Sequence, residues 1–293
     1  MTDPEVVPPR SAHILNIGDS RSIVLGERTP GGSKNETRFG TLGTQQVVVK
    51  IQRTHGRLEA EEVALRFLAG GPVLVPEVIA SGTTEDGDPY LVLSREEGEF
   101  TSTAAGWERF GRDLARLAHI PISHCPLPRI STALFHDEHQ RRLEVLEHLL
   151  DGALARQIEQ ALDQVRKVDQ LVVTHGDPGT GNYLDNPSGR GVLLDWETAS
   201  VSPYGLDLGR AAFIGFLDLG RSGIPQELAS GLIRGYANAS SVADQIDPDL
   251  LRSWITIGGL QFIHGRHTQP LRPDRTADIA AQVLADWLAG SQD

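Results

Sequence analysis

From about residue 21 to residue 93 the apolar positions fall in short, strand-sized runs. Ile23–Leu25 is one, Gln46–Gln52 (QVVVKIQ) is β-branched through its centre, and Pro89–Leu93 (PYLVL) is a third. Thr29–Asn35 (TPGGSKN) is a turn cluster between the first two. In Glu59–Leu68 the apolar residues Ala60, Ala64, Phe67 and Leu68 recur at helical spacing. From Trp107 onward the period becomes helical. Phe110, Leu114 and Leu117 fall at i, i+4 and i+7, and Leu146, Leu149, Leu150, Leu154, Ile158, Leu162 and Val165 predict one long amphipathic helix. Two short strands follow, Leu171–Thr174 and Gly191–Leu194, and then helices around Gly205–Leu219, Gln226–Ala237, Pro248–His267 and Thr276–Ala289. A strand-rich first part before a longer helical part predicts an α+β fold with a cleft between two lobes.

A chain of 293 residues is long enough for two such lobes. Its 39% hydrophobic and 23% charged residues are those of an ordinary globular protein, and no apolar run approaches the roughly 20 residues of a membrane helix. Residues 1–12 read as a loose polar tail without the apolar centre of a signal peptide. Cys125 is the only cysteine, so no internal disulfide forms, and a cytoplasmic location is expected. The net charge of −12 is spread evenly along the chain. It argues against a nucleic-acid partner and reads as a soluble acidic surface.

Candidate chemistry concentrates between the two short strands, in His175-Gly176-Asp177-Pro178-Gly179-Thr180-Gly181-Asn182, with Asp195 at the end of the second strand. Phosphoryl transfer needs a carboxylate to orient a hydroxyl and take its proton, and hard oxygen donors to hold magnesium against the phosphates. An aspartate, an asparagine five residues on and a second aspartate supply that set. The plain alternative, a surface Asp-Gly turn, does not account for the flanking strands or for Asp195. Upstream, Gly31-Gly32-Ser33-Lys34-Asn35 would let backbone N–H groups approach phosphate oxygens. Lys50, inside an apolar strand, needs a partner, and the next helix offers Glu59, Glu61 and Glu62.

Taken in order, GGSKN, VVVKIQ, EEVALRFLAG, YLVLSREEG, HGDPGTGNYL, LLDWE and PYGLDLGRAA resemble the aminoglycoside phosphotransferase and choline kinase branch of the protein-kinase-like fold, over about residues 23–212. The resemblance implies a small β-rich lobe over residues 1–93, a hinge over 94–98 and a helical lobe over 99–293. It implies Asp177 as catalytic base and Asn182 and Asp195 as magnesium ligands. Lys50 would sit on the phosphates and pair with Glu61, which lies seven residues before Leu68. Gly31, Gly32 and Ser33 would cap the phosphates, Leu93 would back the nucleotide base, and Ser94 and Glu96 would bond it. Asp207 and His175 would brace the loop.

The implied cofactors are ATP or GTP with magnesium. The implied partner is a small-molecule hydroxyl acceptor, an antibiotic first and an amino alcohol or sugar second, on a monomer or weak homodimer. The ending LADWLAGSQD does not match the acidic substrate-binding segment of the best-known aminoglycoside enzymes. A non-catalytic nucleotide binder would be expected to lack one of Lys50, Asp177, Asn182 and Asp195. A dinuclear phosphoesterase would need more ligands, and neither Lys50 nor the glycine loop.

Overall fold

The computed structural model describes residues 13–17, 21–29, 35–53, 56–186, 189–222, 227–240, 246–268 and 276–290. The first part is a six-stranded sheet in the order β1-β2-β3-β4-β6-β5, antiparallel at every step. Its strands are β1 (His13–Ile17), β2 (Arg21–Arg28), β3 (Asn35–Leu42), β4 (Gln45–Gln52), β5 (Val78–Thr83) and β6 (Pro89–Ser94). Helix α1 (Leu58–Leu68) lies in the crossover from β4 to β5 and packs on β5 and β6.

The near-continuous apolar runs of β4 and β6 have a reason: both faces of the sheet are covered. Val47, Val49, Ile51, Tyr90 and Val92 join Leu15, Ile17 and Ile23 in a small core on one face. The alternate residues Val48, Leu91 and Leu93 face the main core together with Leu58, Leu65 and Leu68 of α1.

The rest is helical around two small ladders. Strand β7 (Glu99–Phe100) pairs with β9 (Tyr183–Asp185), which pairs with β10 (Gly191–Leu193), while β8 (Leu171–Thr174) pairs with β11 (Ser200–Pro203). The helices are α2 (Ala104–Ala118), α3 (Thr132–Leu146), α4 (Gly152–Val165), α5 (Leu206–Ser222), α6 (Glu227–Ala239), α7 (Pro248–Thr268) and α8 (Thr276–Gly290). The α+β arrangement read from the sequence is the observed one. Among the described residues no helix is long and apolar enough to cross a membrane.

One element is corrected. The leucine run from Leu146 to Val165 is not a single helix: α3 ends at Leu146 and α4 starts at Gly152. Asp151 takes an extended backbone (φ −69°, ψ 158°), and its Oδ1 accepts from the N–H groups of Ala153 at 2.8 Å and Leu154 at 2.7 Å. The apolar period runs through the break because Leu146, Leu150 and Leu154 all enter the same core. The polar strand β3, eight residues reading NETRFGTL, escaped the pattern; it is held by β2 on one side and by an eight-pair register with β4 on the other.

The closest helix crossing is α2 on α6. A Cβ on Gly111 would lie 1.9 Å from the Leu232 carbonyl oxygen and 2.8 Å from the Tyr236 nitrogen. Both obstacles are backbone, so a side chain there forces the helices apart. Gly111→Ala is expected to destabilise the protein by at least about 1–3 kcal/mol. An unchanged midpoint in urea unfolding would refute this account of the crossing.

Candidate active site

Strand parity places Lys50 on the same face of β4 as Val48, the face that α1 covers. On α1 the buried stripe is Leu58, Glu61, Ala64, Leu65 and Leu68, so Glu61 is the acidic residue that faces the sheet. Glu62 points elsewhere, accepting from Arg66 Nε at 2.8 Å and from Ser81 Oγ at 2.8 Å, and Glu59 is exposed.

The Lys50 ammonium donates to both Glu61 oxygens, at 2.7 and 2.8 Å, and to Asp195 Oδ1 at 2.8 Å. Burial works against the ammonium, but Glu61 and then Asp195 outweigh it and hold its pKa above the ordinary lysine value. Two carboxylates thus converge on one ammonium. Asp195 is the one non-glycine residue with a left-handed backbone among those described, at φ 63°, a conformation that persists only where surrounding contacts enforce it.

The loop after β8 is irregular but fully tied down. Asp207, at the start of α5, accepts from the backbone N–H of His175 at 2.6 Å and of Gly176 at 3.0 Å. Gly176 has φ +82°, and a Cβ there would meet the Thr198 carbonyl oxygen at 2.4 Å. His175 donates from Nε2 to the Leu194 carbonyl at 2.7 Å, and its Nδ1 accepts from the Asp177 N–H at 3.3 Å, which sets the neutral tautomer. His175 therefore ties the Asp177 segment to the strand end that leads into Asp195. Residues Thr180–Asn182 form a 3₁₀ turn. Asn182 donates its side-chain amide to the Asp177 carbonyl at 2.9 Å, and Leu194 N–H bonds the Asn182 carbonyl at 2.9 Å. That bond fixes the orientation of the Asn182 amide, with its oxygen directed away from the Asp177 carbonyl.

The remaining expected residues divide. Gly31, Gly32 and Ser33 lie outside the described residues. Leu93 is buried at the end of β6. The Ser94 N–H is already donated to the Glu77 carbonyl at 2.9 Å, and its hydroxyl donates to Glu96 Oε1 at 2.5 Å. The Ser94 N–H is therefore not available to a ligand.

Sequence reasoning missed Arg210. Its Nη2 donates to Asp177 Oδ1 at 2.5 Å and its Nη1 to Gln261 at 3.4 Å. The signal was present: Arg210 follows Asp207 by three residues, so both lie on one face of α5. Beyond Arg210 stands His139 of α3, buried, stacked on Phe135 and donating from Nδ1 to the Phe135 carbonyl at 2.7 Å. Burial first and then the charge of Arg142, with lesser help from Arg210 and His264, push its pKa down to about 3 against the upward pull of the Phe135 bond.

A curled antiparallel sheet joined to a helical body, with the Lys50–Asp195 contact between them, is the arrangement of the kinase-like phosphotransferases. The profile of the phosphotransferase enzyme family matches residues 26–251, which is 226 of the 293 residues, and the chain belongs to that family. Among solved structures it resembles a macrolide 2′-phosphotransferase type I (16% identity, 92% of each chain, TM-score 0.64). It also resembles an aminoglycoside 2′-phosphotransferase-IIIa bound to GDP (14% identity, 94% of each chain, TM-score 0.66). A third is a choline/ethanolamine kinase family protein from Mesorhizobium loti (19% identity, 92% of this chain and 88% of that one, TM-score 0.64). No curated protein matches.

The depressed pKa of His139 carries a pH signature. A group that titrates lower in the folded than in the unfolded chain contributes its stability above the unfolded value, about 6.5, and loses it as pH falls from there towards 3. The slope is at most about 1.4 kcal/mol per pH unit for one proton. His139→Gln is therefore expected to flatten the loss of stability between pH 6.5 and pH 4 relative to the unsubstituted protein. Denaturant unfolding at a series of pH values reads this directly, and parallel pH profiles would rule it out.

Proposed function

We propose that this phosphotransferase moves the γ-phosphoryl group of ATP or GTP to a hydroxyl of a small molecule, a hydroxyl-bearing antibiotic in the first instance. The observation that carries the reading is the meeting of Lys50, Glu61 and Asp195, on three separate segments, with Asp177 and Asn182 on the loop that His175 ties to Asp195.

In this reading Lys50, oriented by Glu61, holds the nucleotide phosphates, and Gly31, Gly32 and Ser33 cap them. Leu93 backs the base, and the hinge residues Ser94 and Glu96 bond it, Ser94 through its carbonyl because its N–H is committed. Asp177 orients the acceptor hydroxyl and takes its proton as the phosphoryl group moves. The donors fit magnesium: Asp195 brings a carboxylate, and Asn182 an amide oxygen on a side chain whose nitrogen is held by the Asp177 carbonyl. Such an ion would neutralise charge developing on the transferred group. The division into a nucleotide lobe over 1–93, a hinge over 94–98 and an acceptor lobe over 99–293 belongs to the same reading, as does a cytoplasmic, monomeric or weakly dimeric enzyme.

One observation favours a second acceptor class, an amino alcohol or sugar metabolite. The side-chain partner of Asp177 is Arg210, which reaches on to Gln261. The Arg210 guanidinium repels a polycationic aminoglycoside at that point and leaves a neutral sugar unaffected. The likeness to a choline/ethanolamine kinase family protein supports keeping this class in view. A nucleotide-consumption screen over hydroxylated antibiotics and small metabolites, with mass detection of the phosphorylated product, separates the two.

Asp177→Asn is expected to bind nucleotide normally and to lose about 10²–10⁴-fold in kcat, since the carboxylate acts mainly in the transition state. Turnover within a few-fold of the unsubstituted enzyme would remove Asp177 from this role. A double-mutant cycle tests the orienting pair. Lys50→Ala should cut kcat/KM strongly and Glu61→Ala more mildly, and the double variant should fall well short of the sum, because both act through one contact. Strict additivity would contradict the role given to Glu61.

A further inference from the structure

A cavity of about 550 Å³ opens outside the cleft and shares no lining residue with Lys50, Glu61, Asp177, Asn182 or Asp195. Arg109, Arg112 and Arg116 project into it from one face of α2, at i, i+3 and i+7. Arg190 lines it from the β9–β10 hairpin, and Gly71 and Pro72 from the segment that follows α1. Four guanidinium groups around one space are not the default in a chain of net charge −12.

Two of the four are accounted for inside the protein. Arg109 donates to Asp185 Oδ1 from Nε at 3.0 Å and from Nη2 at 2.9 Å. Arg116 donates to Asp113 Oδ1 at 3.0 Å, and the other Asp113 oxygen accepts from the Tyr183 hydroxyl at 2.9 Å. The lining carboxylate is therefore fully engaged. Among the described residues neither the Arg112 nor the Arg190 guanidinium has a hydrogen-bonded or ion-paired partner, although the charge of Arg112 is felt by Asp113 and the Arg190 carbonyl accepts from Asn186 N–H at 2.9 Å.

We propose that this cavity binds a small phosphorylated molecule, its phosphoryl group seated between Arg112 and Arg190. Planar guanidinium forks match the oxygens of a phosphoryl group two at a time, and a site of this volume holds a ligand of metabolite size. Arg109 and Arg116, already locked by their aspartates, line the cavity without having to be ordered. The hairpin that carries Arg190 is also joined to the segment after α1, through the bond from Leu193 N–H to the Leu74 carbonyl at 3.0 Å. Two walls of the cavity are thus held together before any ligand arrives.

The test is calorimetric titration of the full chain with glycerol 2-phosphate and with inorganic phosphate, the cleft first being saturated with a non-hydrolysable magnesium-nucleotide. Saturable one-site binding is expected, with glycerol alone giving none. Arg112→Gln with Arg190→Gln should weaken phosphate binding at least tenfold and leave nucleotide affinity within twofold. Arg190→Gln alone, a change on an exposed hairpin that the core does not feel, should weaken it at least threefold and covers the case in which the double variant does not fold. Absence of saturable binding, equal affinity in the variants, or equal suppression of the signal by sodium chloride at matched ionic strength would each overturn the proposal.

Discussion

The contact on which the rest depends is the buried Lys50 ammonium, held by Glu61 on one side and Asp195 on the other. An unpaired ammonium in that position would be costly, and removal of one partner of a buried pair is typically more damaging than replacement of the whole pair. Lys50 belongs to the central strand of the sheet, Glu61 to the helix in the first crossover and Asp195 to a loop 145 residues further along the chain. One cation therefore ties together the sheet, its covering helix and the helical body. In the proposed reading a magnesium-nucleotide engages the same groups, so the fold and the proposed chemistry share a single electrostatic constraint.

The loop that carries Asp177 is rigid without being regular. Distant segments hold it through the Asp207 carboxylate on two consecutive N–H groups, the Leu194 carbonyl on His175 and the Thr198 backbone against Gly176, and the Asn182 side chain bonds the Asp177 carbonyl from within the loop. Asp207 is buried, and desolvation pushes its pKa up against the bonds and charges that hold it down. Its two accepted hydrogen bonds are what make a buried carboxylate tolerable there. These ties set the positions of Asp177 and Asn182 without a regular hydrogen-bond ladder.

Arginine is the main basic residue of this acidic chain, 24 of its 27 basic residues. Its guanidinium groups are placed rather than scattered. Arg210 sits against Asp177, Arg142 beside His139, and four line the cavity next to α2. The first bears on the carboxylate proposed as the base, and all are placements that only the fold makes. They explain why an even distribution of charge along the sequence gives no guide to the charge that a substrate meets.

Much of this protein is written locally. The period-2 and period-3.6 patterns determine the strands β4 and β6 and most of the helices, because each element must bury one face or both. The HGD-x4-N spacing marks the loop because few other structures need those residues at those offsets. Three things were beyond local reading. The choice of Glu61 over Glu59 and Glu62 was suggested by family resemblance, but it follows physically only when the buried face of α1 is known. The break at Asp151 is invisible to an apolar period that continues through it, since the capping carboxylate competes with a pattern set by the shared core. The pairing of Arg210 with Asp177, and the gathering of Arg112 and Arg190 about one cavity, join residues 33 and 78 positions apart. Sequence determines which groups exist and which face of an element each occupies. Which faces meet is decided by the packing of whole elements, where burial and desolvation of distant groups enter together.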